Sequence, residues 1–573
     1  MADQASTLTE PVGVAEPSAP PAWNRWGPIA AFAAVEVYAF VFWLHAGRHE
    51  WFYLDEWDFL ARRRATDVGD LFRAHNEHWV TIPVLVYRAL WSTFGLRAYL
   101  PYRLVVLVLY LAAATLLFVV IRRAGVQPWI AAAAASAYAL FGPGWENAIK
   151  PFQMTFTGAL ALGLLYLVLA DHDGGFEGRD GFGLAAGLLA LMMSGVGVTM
   201  VAIVGIAVLL RRGWRMAIRH VGPLAVIYGV WFVAFGPAGK VRQVGPKHRS
   251  TVGGDLHFVV NGFSRAFRDA AHYPVIGVLL FVLFVAGCVL AWRQRRGLVF
   301  RQLAAPIAML AGSAGYLVTT AAARSSFGAG YAGISRQVSL TFAMLLPAVA
   351  VAVDAIARVW RHFVPIAVAL MLIGVPAGLS RVEHAQQKLS PLYVGTRRTI
   401  LSVGRDPWAH TVPRSLRPEQ LSARAVTVGW LLQGIREHRI PPQTFAFVNY
   451  LASSHFRLSF FQTNVRAPAT RCTKITRPTF LRVHHGEVVG VYDNPITIVP
   501  LRPPLLVGFG LFFRPQEGHA IAVLRSVRPL VLYSSGSQPG RVCVAPSERV
   551  PQPYAPRMAP NEIGRPAPAP DNG

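Results

Sequence analysis

Cysteine and charged residues are both scarce in this chain. Only three of its 573 residues are cysteine, too few for a disulfide scaffold. Cys472 and Cys543 lie in the polar C-terminal third, and a disulfide between them would require an oxidising compartment. Charged residues make up 15% and hydrophobic residues 53%, with a mean hydropathy of +0.39. This balance excludes a water-soluble globular protein of this size and predicts a polytopic membrane protein.

Acidic residues are scarcer than basic residues. The chain has 29 Asp and Glu against 55 Lys and Arg, a formal net charge of +26. Many of the arginines stand at the ends of hydrophobic runs, where they indicate topology. Binding of nucleic acid would need a basic face on a soluble domain, so we expect no nucleic-acid partner.

Long hydrophobic runs are abundant. A bilayer crossing needs about 20 apolar residues. Runs that approach or reach this length predict a transmembrane domain over residues 25–379 with about eleven spans, at 26–45, 102–121, 129–142, 152–170, 181–194, 196–210, 221–236, 274–292, 304–323, 337–357 and 363–379. Residues 1–24 lack the basic start of a signal peptide and are expected to be a disordered cytoplasmic tail, so the first run is an uncleaved anchor.

Arginine in short connections predicts the orientation of the spans. Four arginine clusters fall on one side, which becomes the cytoplasm; they lie at residues 122–123, 211–219, 293–301 and 358–361. The N-terminus is then cytoplasmic, and the outer side holds the loop at 47–101, the turn at 142–153, the loop at 237–273, the loop at 323–336 and everything after 380. The sequence thus predicts a multi-pass plasma (inner) membrane protein. The acidic connection at 171–180 disagrees, but acids count little in this rule.

The segments outside the bilayer have their own patterns. Apolar residues at helical spacing in 47–101 predict amphipathic helices on the outer surface. Residues 380–550 predict an extracytoplasmic soluble α/β or α+β domain, with helices at about 382–403 and 421–437. Its strands are expected at 444–449, 488–492, 496–499, 520–524 and 529–533. Residues 551–573 are Pro-rich and expected to be a disordered tail.

Three carboxylates stand among aromatics just after the first span. In the run from Trp51 to Leu60 these are Asp55, Glu56 and Asp58. On a helix Asp55 and Asp58 share a face, and Asp58 could pair with Arg62 while Asp55 acts as N-cap. The other interpretation is chemical, because a carboxylate held among aromatics at a membrane surface is partly desolvated and becomes a stronger base. We favour a function for Asp55 and leave both interpretations open for Asp58.

A second polar group follows in the same loop, at His75-Asn76-Glu77-His78. It is typical of an acid/base or metal cluster, although it lacks the His-x-x-x-His spacing of a zinc site. The alternative is that Asn76 caps the following helix, with Glu77 in its first turn. We weigh the two equally, with Glu77 or His78 as a supporting group or metal ligand.

Two further outer connections carry polar residues. At the first, Glu146 and Lys150 have the spacing of a helical ion pair and stand beside Asn147 and Gln153, which favours an interface anchor. At the second, Arg324 and Arg336 bracket a Ser- and Gly-rich loop. Arginine suits bidentate phosphate binding, although Arg324 could equally snorkel from the preceding span.

Several short motifs occur in a defined order along the chain. They are Asp55-Glu56, Asn76-Glu77-His78, Trp145-Glu146-Asn147 followed by Phe152-Gln153, Ser194-Gly195 and Ser335-Arg336. In order, spacing and side of the membrane they resemble the bacterial polytopic glycosyltransferases of the C-type (GT-C) fold, over about residues 27–379. Two positions depart from that pattern: Gln337 stands where the family has tyrosine, and Pro151 where an aromatic is expected. Both departures concern how a lipid phosphate is held.

The resemblance implies an activity and assigns roles. Enzymes of this fold take a sugar from a polyprenyl-phosphate carrier on the outer face, using an acid of the first external loop as base. Carried over, Asp55 is the general base of an inverting transfer, and Glu56 supports it or orients the acceptor. Positive charge for the leaving phosphate comes from Arg336, with Arg324 or Lys150. The supporting or acceptor-binding residues are expected to be Asp58, Glu77, His78, Glu146, Asn147 and Gln153.

The partners follow from the same resemblance. The donor is a polyprenyl-phosphate-linked sugar, and the acceptor is a cell-envelope glycan, lipid or protein. Some members of the family bind a divalent metal near the acidic loop and others do not, and this sequence does not decide between them. Two other classes stay open: a transporter or flippase for a lipid-linked or anionic glycan, which needs charged residues within the spans, and a non-catalytic envelope-assembly protein.

Overall fold

The computed structural model describes most of the chain. Its described residues are 22–239, 251–294, 299–405, 409, 414, 417–419, 422–442, 460–463, 471–482, 487–494, 496–500, 511–513, 520–523, 529–534 and 539–546. The predicted tail at 551–573, residues 1–21 of the predicted tail at 1–24, and the predicted strand at 444–449 lie outside these residues; residues 22–24 belong to a helix.

Helices occupy the predicted windows. The helices of the membrane part are α1 (Ala22–Ala46), α5 (Leu100–Arg123), α6 (Pro128–Ala139), α8 (Met154–Ala170), α9 (Gly178–Leu191), α10 (Val196–Arg212), α11 (Trp214–Phe235), α12 (Val252–Ala271), α13 (Pro274–Gln294), α14 (Val299–Gln302), α15 (Ala304–Arg324), α16 (Ser335–Val359) and α17 (Phe363–Leu372). Among the described residues, eight helical stretches are long and apolar enough to cross a membrane: Trp26–Ala46, Leu100–Arg123, Pro151–Ala170, Trp214–Phe235, Pro274–Gln294, Ala304–Phe327, Ser335–Val359 and Phe363–Arg405. The predicted polytopic helical membrane protein is confirmed.

The three remaining windows are helical but shorter. Helices α6, α9 and α10 have 12, 14 and 17 residues, below the length of about 20 that a full crossing needs. Helices α6 and α10 are largely buried in the bundle, because small residues let them approach their neighbours closely. Helix α9 has one exposed face, on which Phe182 is 75% exposed. Helix α6, for example, buries its run of alanines from Ala131 to Ala135.

The bundle has a centre and a periphery. Helix α16 lies at the centre, with 83% of its apolar window buried, whereas the windows in α11 and α13 are each 17% buried. At one end of the bundle the turn at 142–153 consists of the 3-10 helix Gly142–Gly144, helix α7 (Glu146–Ile149) and the 3-10 helix Pro151–Gln153. A side chain at Gly142 would lie 2.2 Å from the backbone of Gly378, so only glycine allows this close approach.

The first loop forms the predicted short helices, α2 (Glu56–Ala61), α3 (Val68–Phe72) and α4 (Thr81–Phe94). They do not merely lie on a surface, because a second segment covers them. That segment contains α18 (Val375–Ser402), which begins earlier than predicted, and α19 (Val428–Arg436), which Thr427 caps by accepting a hydrogen bond from the Trp430 amide. The two segments share one apolar core built on the buried residues Trp51, Phe52, Trp57, Trp91, Tyr393, Ile400, Val428 and Leu431.

The C-terminal part contains antiparallel sheets. Its strands are β1 (Phe460–Thr463), β2 (Arg471–Ile475), β3 (Thr479–Arg482), β4 (Glu487–Tyr492), β5 (Ile496–Pro500), β6 (Leu511–Phe513), β7 (Ala520–Val523), β8 (Pro529–Ser534) and β9 (Gly540–Pro546). They form a five-stranded sheet in the order β1-β7-β4-β9-β2 and a four-stranded sheet in the order β3-β8-β5-β6. Cys472 of β2 pairs directly with Cys543 of β9, and the two form a disulfide. The predicted sheet-containing C-terminal region is confirmed, with β1, β2, β3, β6 and β9 in addition to the strands expected.

Candidate functional site

Asp55 stands at the start of helix α2. It occupies the N-cap position, but its side chain makes no capping hydrogen bond. The capping alternative therefore applies to its backbone and not to its carboxylate, which is 46% exposed. A carboxylate that is not used for local structure is available for chemistry.

His75 bridges the two acids of this helix face. Its Nδ1 lies 3.1 Å from Oδ2 of Asp58, and its Nε2 lies 3.7 Å from Oδ1 of Asp55. Burial lowers the pKa of His75, but the two carboxylates outweigh it and raise the net pKa above the ordinary value. The imidazole therefore favours its protonated form and places a cation beside Asp55.

Asp58 is committed to structure. Its Oδ2 also lies 3.3 Å from Nε of Arg63, and not against the expected Arg62, because α2 ends at Ala61 and Arg62 is its C-cap. Burial raises the pKa of Asp58, but the hydrogen bond and charge of His75 and the charge of Arg63 hold it well below its usual range. Asp58 stays ionised and anchors His75.

Arg63 explains how a residue 20 positions from Asp55 reaches it. Its side chain is only 2% exposed and donates hydrogen bonds to the backbone carbonyls of Asp70, Arg73 and Ala74. These bonds fix the chain that leads into His75 against helix α2.

The box at 75–78 is a tight turn. The amides and carbonyls of His75 and His78 exchange two hydrogen bonds of 2.9 Å, and Asn76 and Glu77 between them have φ angles of 47° and 71°. The alternative that Asn76 caps the next helix is wrong, since α4 begins at Thr81. Asn tolerates this left-handed region, but Glu does so at a cost of about 1–2 kcal/mol.

The turn sends His78 and Glu77 to different neighbours. His78 accepts a hydrogen bond at Nδ1 from the amide of Gly195, 3.3 Å away. Burial lowers the pKa of His78 to about 4, with Arg324, His75 and Arg336 acting in the same direction, so His78 is neutral. Glu77 is exposed, and its carboxylate lies 4.0 Å from Arg324.

Glu56 points away from Asp55. Its carboxylate accepts hydrogen bonds from the hydroxyls of Tyr87 at 2.8 Å and Tyr99 at 3.0 Å, and from the amide of Tyr53 at 2.9 Å. Successive helical residues point about 100° apart, which explains why neighbours in sequence separate in space. Burial raises the pKa of Glu56 to about 8. The expected support of Asp55 by Glu56 is corrected, because Glu56 anchors helix α2 in the aromatic core.

The turn at 142–153 supplies a cation next to the first loop. Nζ of Lys150 lies 2.7 Å from Oε1 of Glu146, the predicted pair, and 5.9 Å from the ring of Tyr53. Asn147 is buried and donates from Nδ2 to the carbonyl of Arg336 at 3.3 Å. The amide of Glu146 donates to the hydroxyl of Ser335 at 3.1 Å. The turn and the start of α16 are thereby joined.

The two arginines differ in their surroundings. Arg336 donates to the hydroxyl of Tyr331 at 2.8 Å. Arg324 is 18% exposed and has Glu77 as its described ion-pair partner. Gln153 is buried, and its Oε1 has no hydrogen-bond partner in the described structure. Gln337 accepts a hydrogen bond from Tyr316.

The residues do not form a metal site. Among the described residues no group of three His, Cys, Asp or Glu side chains is arranged to hold an ion. Nδ1 of His75 is engaged by the carboxylate of Asp58 at 3.1 Å, and its Nε2 lies 3.7 Å from that of Asp55. We therefore derive no step through a metal.

Sequence reasoning named the box but missed its key residue. It chose Glu77 and His78, whereas His75 lies beside Asp55. A second missed residue is Glu50, which is buried and accepts a hydrogen bond of 2.9 Å from Gln386 of α18. In the sequence, His75 was marked only by its position two residues before Glu77. Glu50 was marked only by its position directly before Trp51.

Comparison with known proteins gives little further guidance. No family model and no curated protein matches the chain. Among solved structures, the chain is similar to the apo crystal structure of ArnT from Cupriavidus metallidurans, with 16% sequence identity over 76% of this chain and 96% of that chain, at a TM-score of 0.43. A superposition at this level identifies neither a family nor a reaction.

Proposed function

We propose that the protein is a membrane glycosyltransferase that moves a sugar from a polyprenyl-phosphate carrier to a cell-envelope acceptor on the outer face. The observation that carries the proposal is the position of Asp55. Its carboxylate is half exposed, does not cap its helix and lies 3.7 Å from a histidine that favours protonation.

Asp55 is the proposed general base. It accepts the proton of an acceptor hydroxyl while the hydroxyl oxygen attacks the anomeric carbon of the donor sugar. A new carbon–oxygen bond forms, and the bond to the phosphate oxygen breaks with its electron pair. A single displacement of this kind inverts the anomeric configuration. His75 holds Asp55 in place and Asp58 holds His75.

The leaving group shapes the rest of the site. A polyprenyl phosphate leaves as a stable anion, so it needs positive charge and not a proton. The cations beside the loop are Arg324, Arg336 and Lys150, with neutral His78 adding no competing charge. Asn147 supports this group by fixing the carbonyl of Arg336.

The orientation is part of the proposal. Cys472 and Cys543 form a disulfide, which is typical of an oxidising compartment. It supports an extracytoplasmic C-terminal part and, with the arginine pattern, a cytoplasmic N-terminus and an outward-facing Asp55. Lipid-linked donors presented at the outer leaflet would then reach the site.

A transfer assay tests the function. Purified full-length protein is incubated with a panel of polyprenyl-phosphate sugars, and wild type is compared with Asp55→Asn. Loss of a general base costs about 10²–10⁴-fold in rate, and the unfolding midpoint should not change. The matched control is Asp67→Asn in the same loop, whose side chain is 45% exposed.

Two outcomes would oppose the proposal. A folded Asp55→Asn protein that transfers sugar at the wild-type rate removes Asp55 as base. Wild-type protein that moves a labelled donor across vesicle membranes without transferring its sugar would establish the transporter alternative instead.

A further inference from the structure

An acidic side chain lies in the middle of the first span. The stretch Trp26–Ala46 of α1 is long and apolar enough to cross a membrane, and Glu36 is the eleventh of its 21 residues. At about 1.5 Å per residue, Glu36 is about 15 Å from either end of the stretch, near the centre of a hydrocarbon core about 30 Å thick. An ionisable group at that depth is costly unless another group pairs with it.

The other spans contain no comparable residue. Five of the seven other stretches contain neither Asp nor Glu. The remaining two contain one acid each, away from the centre of a span: Asp354 accepts a hydrogen bond from Arg358 near the end of α16, and Glu383 follows the predicted span at 363–379. Among the described spans, Glu36 is therefore the one acid at mid-depth.

Glu36 lies where α1 meets α5, on the outside of the bundle. It is partly exposed, and the exposed residues Ile29 and Ala33 lie on the same side of α1 at helical spacing. On α5, Val108 and Thr115 are exposed and seven positions apart, which places them on one face. We call these five residues the α1–α5 seam. The seam faces lipid and not the bundle interior, so Glu36 lines no path that a transporter would need.

Thr115 is the only hydrogen-bond partner of Glu36 among the described residues. Its hydroxyl donates to Oε1 of Glu36 at 3.4 Å, which is longer than the usual distance of about 2.7–2.8 Å for a hydroxyl donor. Lipid chains supply no donor to the rest of the carboxyl group. Glu36 can therefore accept a further partner from the lipid side.

Contacts within the bundle fix α1 in place. The ring of Phe32 stacks on that of Phe118 in α5 at 5.0 Å, and the indole of Trp43 donates a hydrogen bond of 2.9 Å to the carbonyl of Ala139 in α6. On the lipid side, small residues let another helix approach closely. The exposed small residues near Glu36 are Ala30, Ala33 and Ala34.

Charge selects the kind of helix that fits the seam. A second copy of this chain would bring another carboxyl group, and like charges repel. It would bring no cation at this depth, because the basic residues that follow Thr115 in α5 are Arg122 and Arg123, about 10 Å further along the helix. A helix of another protein with a lysine or arginine at its midpoint would instead neutralise Glu36.

We propose that the α1–α5 seam binds a transmembrane helix of another protein, and that a lysine or arginine near the midpoint of that helix pairs with Glu36. Thr115 orients the carboxyl group from one side, and the cation of the partner approaches from the other. Pairing removes the cost of burying either charge alone in hydrocarbon. The interaction concerns assembly in the membrane and does not depend on the proposed transfer reaction.

A model helix tests the pairing. Full-length protein with a donor fluorophore at its N-terminus is reconstituted in vesicles of phosphatidylcholine, which has no net charge. The probe is a leucine–alanine peptide of about 21 residues, long enough to cross the bilayer, with a central lysine and an acceptor fluorophore. The reference peptide has leucine at the centre. In energy-transfer titrations, wild type should bind the lysine peptide about tenfold more tightly than the reference.

Two variants show whether the charge and its place matter. Glu36→Gln keeps the size of the side chain and an acceptor for Thr115, so the unfolding midpoint should not change, but most of the preference for lysine should be lost. The matched control moves the acid to another lipid-facing position. Val226 is exposed near the middle of α11, and Val226→Glu in a Glu36→Leu background should not restore tight binding.

Four results would overturn the proposal. They are equal binding of the two peptides by wild type, an unchanged preference in Glu36→Gln, full restoration by Val226→Glu, and self-association of two labelled copies that Glu36→Leu abolishes. The last result would assign the seam to a dimer of this chain.

Discussion

Two clusters of carboxylate, histidine and arginine occur in this molecule, one in the first loop and one around Asp180. Asp180 is fully buried, and its oxygens lie 2.7 Å from Arg212, 3.1 Å from His172 and 3.2 Å from His220. It also accepts a hydrogen bond of 2.8 Å from the amide of Glu177. Asp55 is 46% exposed, and its one ion-pair partner among the described residues is His75.

The difference shows that residue type does not define a site. Asp180 has every acceptor position filled and holds together the ends of α8, α9, α10 and α11. Asp55 is oriented by one neighbour and keeps its remaining positions open to solvent. A carboxylate that is positioned but not saturated can accept a proton, whereas a saturated one contributes stability.

The strongest test of this comparison is Asp180→Ala. Removing one partner of a buried ionic group leaves Arg212 without a counter-charge and should destabilise the protein by about 3–5 kcal/mol. Asp173→Asn is the control, because Asp173 pairs with Arg211 at 2.9 Å but is 66% exposed. That pair should contribute under about 1 kcal/mol. Equal chemical-denaturation midpoints for the two variants would contradict the assignment of Asp180 as structural.

A pH series on Glu56 tests the aromatic core under Asp55. Its pKa is raised from 4.5 to about 8, so between these values the folded state holds a proton that the unfolded chain has lost. Stability therefore falls as pH rises, by up to about 1.4 kcal/mol per pH unit. Glu56→Gln is uncharged at every pH and should flatten this slope in unfolding midpoints from pH 5 to 9.

The control for that series is Glu383→Gln, at an exposed glutamate of α18. It should leave the pH slope unchanged. If Glu56→Gln has the wild-type slope as well, Glu56 is not the group that titrates in the folded state.

The two clusters also show which features could be predicted from the sequence and which could not. The spans could be predicted because hydrophobic length is a local property. The choice of Asp55 was based on aromatic neighbours that are adjacent in sequence, and it stays a prediction. Arg62 was chosen over Arg63 because helical spacing was assumed beyond Ala61, where α2 ends. The contacts of Ser422 with Leu54 and of Trp430 with Trp57 could not be predicted, since they join distant segments and carry no periodic pattern.

The helix-cap prediction for residues 75–78 was wrong for a different reason. Asparagine before an acidic residue is typical of a helix N-cap, and only the three-dimensional structure shows that both residues have left-handed backbone angles. The hydrogen bond from the amide of Gly195 to His78 helps to hold that conformation. The sequence therefore indicated which residues belong to the candidate site but not which of them face each other.

His75→Gln tests whether Asp55 depends on its one neighbour. We expect a transfer rate about tenfold lower, since the variant loses the cation that lies 3.7 Å from Asp55 and the hydrogen bond to Asp58 that orients it. The pKa of His75 is raised, so its charge is present below that value and is lost as pH rises through it. The ratio of wild-type to variant rate should therefore shrink toward alkaline pH. A ratio that is constant from pH 5.5 to 8.5 would mean that His75 acts only through shape.

The smallest effect is expected for Glu77→Gly. This variant tests whether the first loop has backbone strain that the Asp180 cluster lacks. Glu77 has a φ of 71°, which costs a non-glycine residue roughly 1–2 kcal/mol, while glycine adds about 0.5–1 kcal/mol of unfolded-state entropy. The exposed contact with Arg324 at 4.0 Å contributes little. The variant should be more stable by about 0.5 kcal/mol, and Asn76→Gly should gain less because asparagine tolerates this conformation.

A more stable Glu77→Gly protein with slower transfer would show that the strained turn is kept for the site, because Arg324 then lacks the carboxylate that positions it. A destabilised variant would show instead that the turn is held by contacts of Glu77 and carries no strain.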